Sequence, residues 1–199
     1  GQAIGETCGR MLKRSLIETS GNDPFVIMPS ADLDITARAA AFSAFMNCGQ
    51  ICVSAERFYV HEDIHDEFLV KLIANAKDIR IGNGLGKVDM GPMVSEKERT
   101  RYETVLENAL GQGANVMLGG GRPAQFKQGW FVEPTVLSDC HQSMDIFNNE
   151  SFGPVAPICK VKSFEEGIEF ANDSRFGLGA NIYTRDLREA IRATEQLEA

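Results

Sequence analysis

At 199 residues, with 43% hydrophobic and 24% charged side chains, the chain can bury a core as one domain or as one domain with part of another. A formal net charge of -8 argues against a nucleic-acid surface, which needs clustered Lys and Arg, and no apolar run nears the ~18 residues that span a bilayer. Five irregularly spaced cysteines read as free thiols of a reducing compartment, and neither Cys48 with Cys52 nor His61, His65 and His141 has zinc-ligand spacing.

Residues 1–12 read as a helix with no strand before it, and residues 15–18 as a short strand ending at Glu18. The polar cluster 19–24 breaks that pattern. Phe25-Val26-Ile27-Met28, between Pro24 and Pro29, has the length and composition of a buried strand. Ser30 or Asp32 can cap a helix over 33–47, in which Ile35, Ala39, Phe42 and Met46 recur at helical spacing and are expected to face the core. Gly49 and Gln50 then favour a sharp exit that delivers Cys52 on a turn before a strand at 57–60.

A helix is expected over 63–76, with Phe68, Leu69, Leu72 and Ile73 on one face, then a short strand over 79–81. The glycine-rich stretch 82–93 has Lys87 where a phosphate loop needs its third glycine, so it is read as irregular. Ser95 with Glu98 forms a capping-box pattern for a helix to residue 111, followed by a strand at 115–118. Residues 131–137 are extended, and Pro134 suggests an edge or crossing segment. The polar loop 148–154 leads to a strand at 155–161, a helix at 164–172, a strand at 181–184 and a last helix after Asp186. Strands alternating with helices imply an α/β fold with a mostly parallel sheet flanked by helices. Both ends read as interrupted elements, so the chain is expected to be a piece of a longer protein.

A cysteine on a turn is a candidate nucleophile, yet no histidine stands beside Cys52, and an isolated thiol is more often a small packing residue. Three separated motifs shift that balance. Phe45, Asn47, Gly49, Gln50 and Cys52 match F-x-N-x-G-Q-x-C in full. Glu18 through Pro24 follows the L-E-L-G-G segment loosely, and Glu150-Ser151-Phe152-Gly153-Pro154 is E-x-F-G-P. On these residues, in this order, the chain resembles the aldehyde dehydrogenase family along essentially its whole length.

The resemblance implies an aldehyde dehydrogenase-like catalytic domain at 21–199, incomplete at its C-terminus, with 1–20 as the last helix and strand of a cofactor-binding domain. It implies oxidation of a small aldehyde to an acid, with NAD or NADP as hydride acceptor. By the same resemblance Cys52 would form a thiohemiacetal and then a thioester, and Glu18 would activate the hydrolytic water. Glu150 would contact the nicotinamide-side ribose and Phe152 would border the nicotinamide. A homodimer or homotetramer in the cytoplasm is expected of the full-length protein, and no activity of the 199-residue piece alone. Thr19-Ser20 departs from the family's Leu-Gly. Retention of Glu18 speaks against acyl transfer to coenzyme A, and retention of Cys52, Glu18 and Glu150 speaks against a structural, crystallin-like relative. Cys48 is a packing residue or a reversible disulfide partner of Cys52.

Overall fold

The computed structural model describes residues 1–199. It contains six strands: β1 (Asp23–Ile27), β2 (Ala55–His61), β3 (Asn115–Leu118), β4 (Thr135–Cys140), β5 (Val155–Val161) and β6 (Asn181–Tyr183). They form one sheet in the order β3-β4-β5-β2-β1-β6, parallel throughout except for the antiparallel β3–β4 pair. The helices are α1 (Gln2–Arg10), α2 (Leu33–Phe45), α3 (His65–Lys77), α4 (Glu96–Gly111), α5 (Phe164–Asn172) and α6 (Leu187–Gln196).

The handedness of parallel crossovers distributes these helices. The step from β1 through α2 to β2 runs toward the β3 edge, and the step from β5 through α5 to β6 runs the opposite way. Right-handed connections in opposite directions place α2 and α5 on opposite faces of the sheet. The central strands are thereby covered on both sides. Every residue of β1 is buried, and the core joins Phe25, Phe58, Tyr59, Phe68, Leu72, Phe147 and Ile158. Helix starts are fixed by short side chains: Asp32 accepts from the amides of Asp34 and Ile35, and Ser95 from that of Glu98. The Glu98 carboxylate turns to Arg101 instead of completing the capping box.

Four sequence expectations fail. Residues 15–18 form no strand; Leu16 is fully exposed and the segment pairs with nothing in this sheet. Within 79–81, Ile81 alone makes an isolated bridge, to Met90. Pro134 precedes a strand that lies between two others, so it marks the start of β4 and not an edge. Ile35, Phe42 and Met46 are 53%, 64% and 41% exposed, while Ala37, Ala40, Ala41, Ala44 and Phe45 face inward. Two stripes on α2 share the helical period. The alanine stripe lets the helix lie close on its neighbours, and periodicity alone does not say which stripe faces in.

Candidate active site

Each of the three motifs runs directly into a strand: residues 18–22 into β1, 45–54 into β2 and 150–154 into β5. Because β5, β2 and β1 are parallel neighbours in that order, their N-terminal ends lie side by side. The sheet therefore assembles the three motifs at one edge, with the thiol turn in the middle.

Glycines permit the contact. A Cβ on Gly21 would overlap the Cys52 carbonyl oxygen, and one on Gly49 would overlap the Gly153 carbonyl. A Cβ on Gly153 would in turn strike the Tyr102 ring. The motifs meet backbone to backbone, which only glycine allows. The thiol turn itself is left-handed over three residues, with φ of 53° at Asn47, 61° at Cys48 and 68° at Gly49. Asn47 and Gln50 lock it: Asn47 Nδ2 donates to the Gln50 carbonyl at 3.0 Å, and Gln50 Nε2 to the Asn47 carbonyl at 3.1 Å. Gln50 Oε1 also accepts from the Val94 amide at 2.8 Å, tying the turn to the start of α4. Cys48 is fully buried with its thiol 3.5 Å from Met93 Sδ, and burial pushes its pKa up to about 12. That places Cys48 in packing.

Cys52 is only partly buried, and its thiol donates to Glu18 Oε1 at 2.8 Å. That hydrogen bond raises the thiol pKa, with desolvation and the charge of Glu18 acting the same way. The backbone amides of Cys52 and Val53 face the sulfur and act against them. A thiol beside a carboxylate is held protonated at rest, with an acceptor for its proton already in contact.

On the other side, the Gly21 amide donates to Glu150 Oε1 at 3.0 Å. The second carboxylate oxygen of Glu150 accepts nothing from the protein, and the residue lines an open groove with Thr19, Ser20, Arg101 and Arg175. Phe152, half-buried, has φ of 47°. The structure thus gathers Cys52, Glu18 and Glu150 around one edge, with Phe152 in the same loop as Glu150.

Sequence reading passed over the group that ties these parts together. Glu56, 3% exposed, accepts from Asn22 Nδ2, the Ser151 amide, the Ser151 hydroxyl and the Phe152 amide at 2.8–2.9 Å. Its neighbour Arg57 is also buried and donates to the carbonyls of Asn22, Phe170 and Ala171. A signal was present: two adjacent charges in a strand that follows a thiol turn and is otherwise apolar are either exposed or fully engaged.

The model of the "Aldehyde dehydrogenase family" matches residues 1–199. The chain is 39% identical over 201 residues to 3,6-anhydro-alpha-L-galactose dehydrogenase of Vibrio sp., covering 100% of this chain and 42% of that protein. It is 38% identical over 200 residues to the succinate-semialdehyde dehydrogenase (NADP(+)) 1 of Mycobacterium tuberculosis, covering 100% and 43%. Among solved structures, 3,6-anhydro-L-galactose dehydrogenase in complex with NADP superposes with a TM-score of 0.95 at 39% identity, covering 100% of this chain and 42% of that one. Betaine aldehyde dehydrogenase of Staphylococcus aureus in complex with NAD+ gives 0.93 at 32%, covering 100% and 40%. The chain spans less than half the length of these relatives. The match is complete over this chain in sequence and in fold, and the chain belongs to the aldehyde dehydrogenase family.

Proposed function

We propose that the full-length protein oxidises a small aldehyde to its carboxylic acid, with Cys52 as nucleophile and Glu18 as general base. The observation that carries this is the 2.8 Å contact between the Cys52 thiol and Glu18, made where three motif loops converge. Sulfur adds to the carbonyl carbon as its proton passes to Glu18, giving a thiohemiacetal. The Cys52 amide, free at a turn and facing the sulfur, is placed to stabilise the developing oxyanion. When bound, a nicotinamide dinucleotide, NAD or NADP, supplies the hydride acceptor that converts the thiohemiacetal to a thioester. The thioester carbon is bonded to the sulfur that Glu18 already touches. Once Glu18 has passed the thiol's proton to solvent, its carboxylate is within reach of a water attacking that carbon; it takes the water's proton, the C–S bond breaks, and Cys52 leaves as a thiolate.

The groove beside Glu150 fits such a cofactor. One Glu150 oxygen is fixed by Gly21 and the other is open to accept from a ribose hydroxyl; Phe152, in the same loop but outside the groove's lining, is assigned to the nicotinamide by the motif alone. Residues 1–20 are assigned to the adjoining cofactor domain, since α1 buries no side chain here and Leu12 and Leu16 stand in the open. The proposal extends to a homo-oligomer in the reducing cytoplasm, in keeping with five free cysteines. The test is reduced-cofactor formation by the full-length protein with a panel of short aliphatic, aromatic and semialdehyde substrates, beside Cys52→Ser. Oxidation that vanishes in the variant supports the assignment. Undiminished turnover by the variant refutes it.

A further inference from the structure

We propose that Glu56 is a positioning residue for the Glu150–Phe152 loop: its buried carboxylate grips the loop backbone and thereby aims Glu150. The inference rests on the assignment of Glu150 to the cofactor above.

Glu150 has no rigid element of its own. It lies in a loop between a short 3-10 turn (Asp145–Phe147) and β5, and its orientation follows from what holds the two residues after it. Glu56, the second residue of β2, reaches that loop from the neighbouring strand. Its Oε2 accepts from the Ser151 amide at 2.8 Å and from Asn22 Nδ2 at 2.9 Å. Its Oε1 accepts from the Phe152 amide at 2.8 Å and the Ser151 hydroxyl at 2.9 Å. All four partners present hydrogens, so the site is built for a charged acceptor, although burial pushes the carboxyl up to about 7. Three of the four come from the loop. The fourth, Asn22, follows Gly21, whose amide holds Glu150 Oε1. One carboxylate thus fixes the loop that carries Glu150 and the residue next to the amide that Glu150 meets.

From the opposite side, Arg101 donates to the carbonyls of Glu150 and Ser151 at 3.2 and 2.9 Å. The loop is gripped by its amides from β2 and by its carbonyls from α4. Glu56 is the buried half of that grip, and no other protein acceptor meets the Ser151 and Phe152 amides. Replacing it with glutamine keeps the shape but turns an N–H2 toward donors, leaving at least one buried amide without a partner.

The test compares wild type, Glu56→Gln and Ser151→Ala in the full-length protein. Readouts are cofactor KM, aldehyde KM, the alkylation rate of Cys52 without cofactor, and hydrogen exchange of peptides covering 148–154. Glu56→Gln is expected to raise cofactor KM about tenfold, the loss of a charge-assisted bond. Aldehyde KM and Cys52 alkylation stay within about twofold, and the loop amides exchange faster. A folded Glu56→Gln protein with unchanged cofactor KM overturns the inference. If that variant does not fold, Ser151→Ala decides. It removes one bond to Glu56, a rise of about threefold in cofactor KM supports the proposal, and no change overturns it. A wild-type protein without cofactor-dependent aldehyde oxidation refutes the functional assignment instead. Loop exchange then decides the grip by itself: faster in Glu56→Gln supports it, equal exchange overturns it.

Discussion

The hydrogen bond between Cys52 and Glu18 sets two demands that pull against each other. Glu18 keeps the resting thiol protonated, by accepting its hydrogen and by its own charge, yet in the proposed reaction it is the acceptor to which that proton goes. Removing the carboxylate therefore separates the two effects. In the full-length protein, Glu18→Gln should lower the Cys52 pKa, so alkylation by iodoacetamide at pH 7 rises about threefold or more, read by mass spectrometry of the Cys52 peptide. Turnover should fall at the same time, because no base remains for the hydrolytic water. An unchanged alkylation rate would show that the two side chains do not meet. That Cys52, Glu18 and Glu150 belong together was legible only through the resemblance of their loops to three family motifs, the one around Glu18 loosely matched. Glu56 was only half legible: two adjacent charges in a strand must be exposed or engaged, but the sequence does not say which, nor which distant amides they meet.

Among the elements, the thiol turn has three consecutive residues at positive φ, and Gly49 shows what that demands. Its φ of 68° and its contact with the Gly153 carbonyl leave no space for a side chain. Gly49→Ala should cost about 2–4 kcal/mol in urea unfolding. Gly111, exposed at the end of α4 with open space around its Cβ position, offers the opposite case. Gly111→Ala should gain about 0.5–1 kcal/mol. Equal effects at the two sites would contradict the turn geometry. Strands β1, β2 and β5 were readable as apolar runs between breakers, and the helix caps at Asp32 and Ser95 as local chemistry. The orientation of α2 was not readable, because an alanine stripe and a larger apolar stripe compete at the same period and the neighbours choose between them. The strand expected at 15–18 failed for a related reason: strand propensity becomes a strand only beside a partner.

For the molecule as a whole, parallel order is what turns three sequence-distant loops into one site, and the same sheet buries acids at its N-terminal edge. Burial is the leading cause that lifts Asp23 to about 6 and Glu56 to about 7. Both folded values lie above the unfolded ones of about 4, so the native state holds these protons more tightly. Their contribution to stability is full below about pH 4 and is lost as pH rises through 6 and 7. The exposed pair of Asp89 with Arg80, whose carboxyl lies well below its usual range, acts only at more acid pH. The thermal midpoint should therefore decline from pH 5 to pH 8, and a flat or rising midpoint over that range would contradict the burial argument. The fold class and the mostly parallel sheet followed from alternating strands and helices. The reversal of β3 did not, since strand direction depends on a connection whose path the residues alone leave open.

The central claim is that catalysis passes through an acyl group on Cys52 and is released by Glu18. Full-length Glu18→Gln protein, mixed with an aldehyde and a nicotinamide cofactor and quenched in acid, tests it directly. The account predicts a burst of at most one reduced cofactor per subunit, with the acyl mass on the peptide carrying Cys52. Steady turnover at the wild-type rate, or an acyl group on another cysteine, would contradict it.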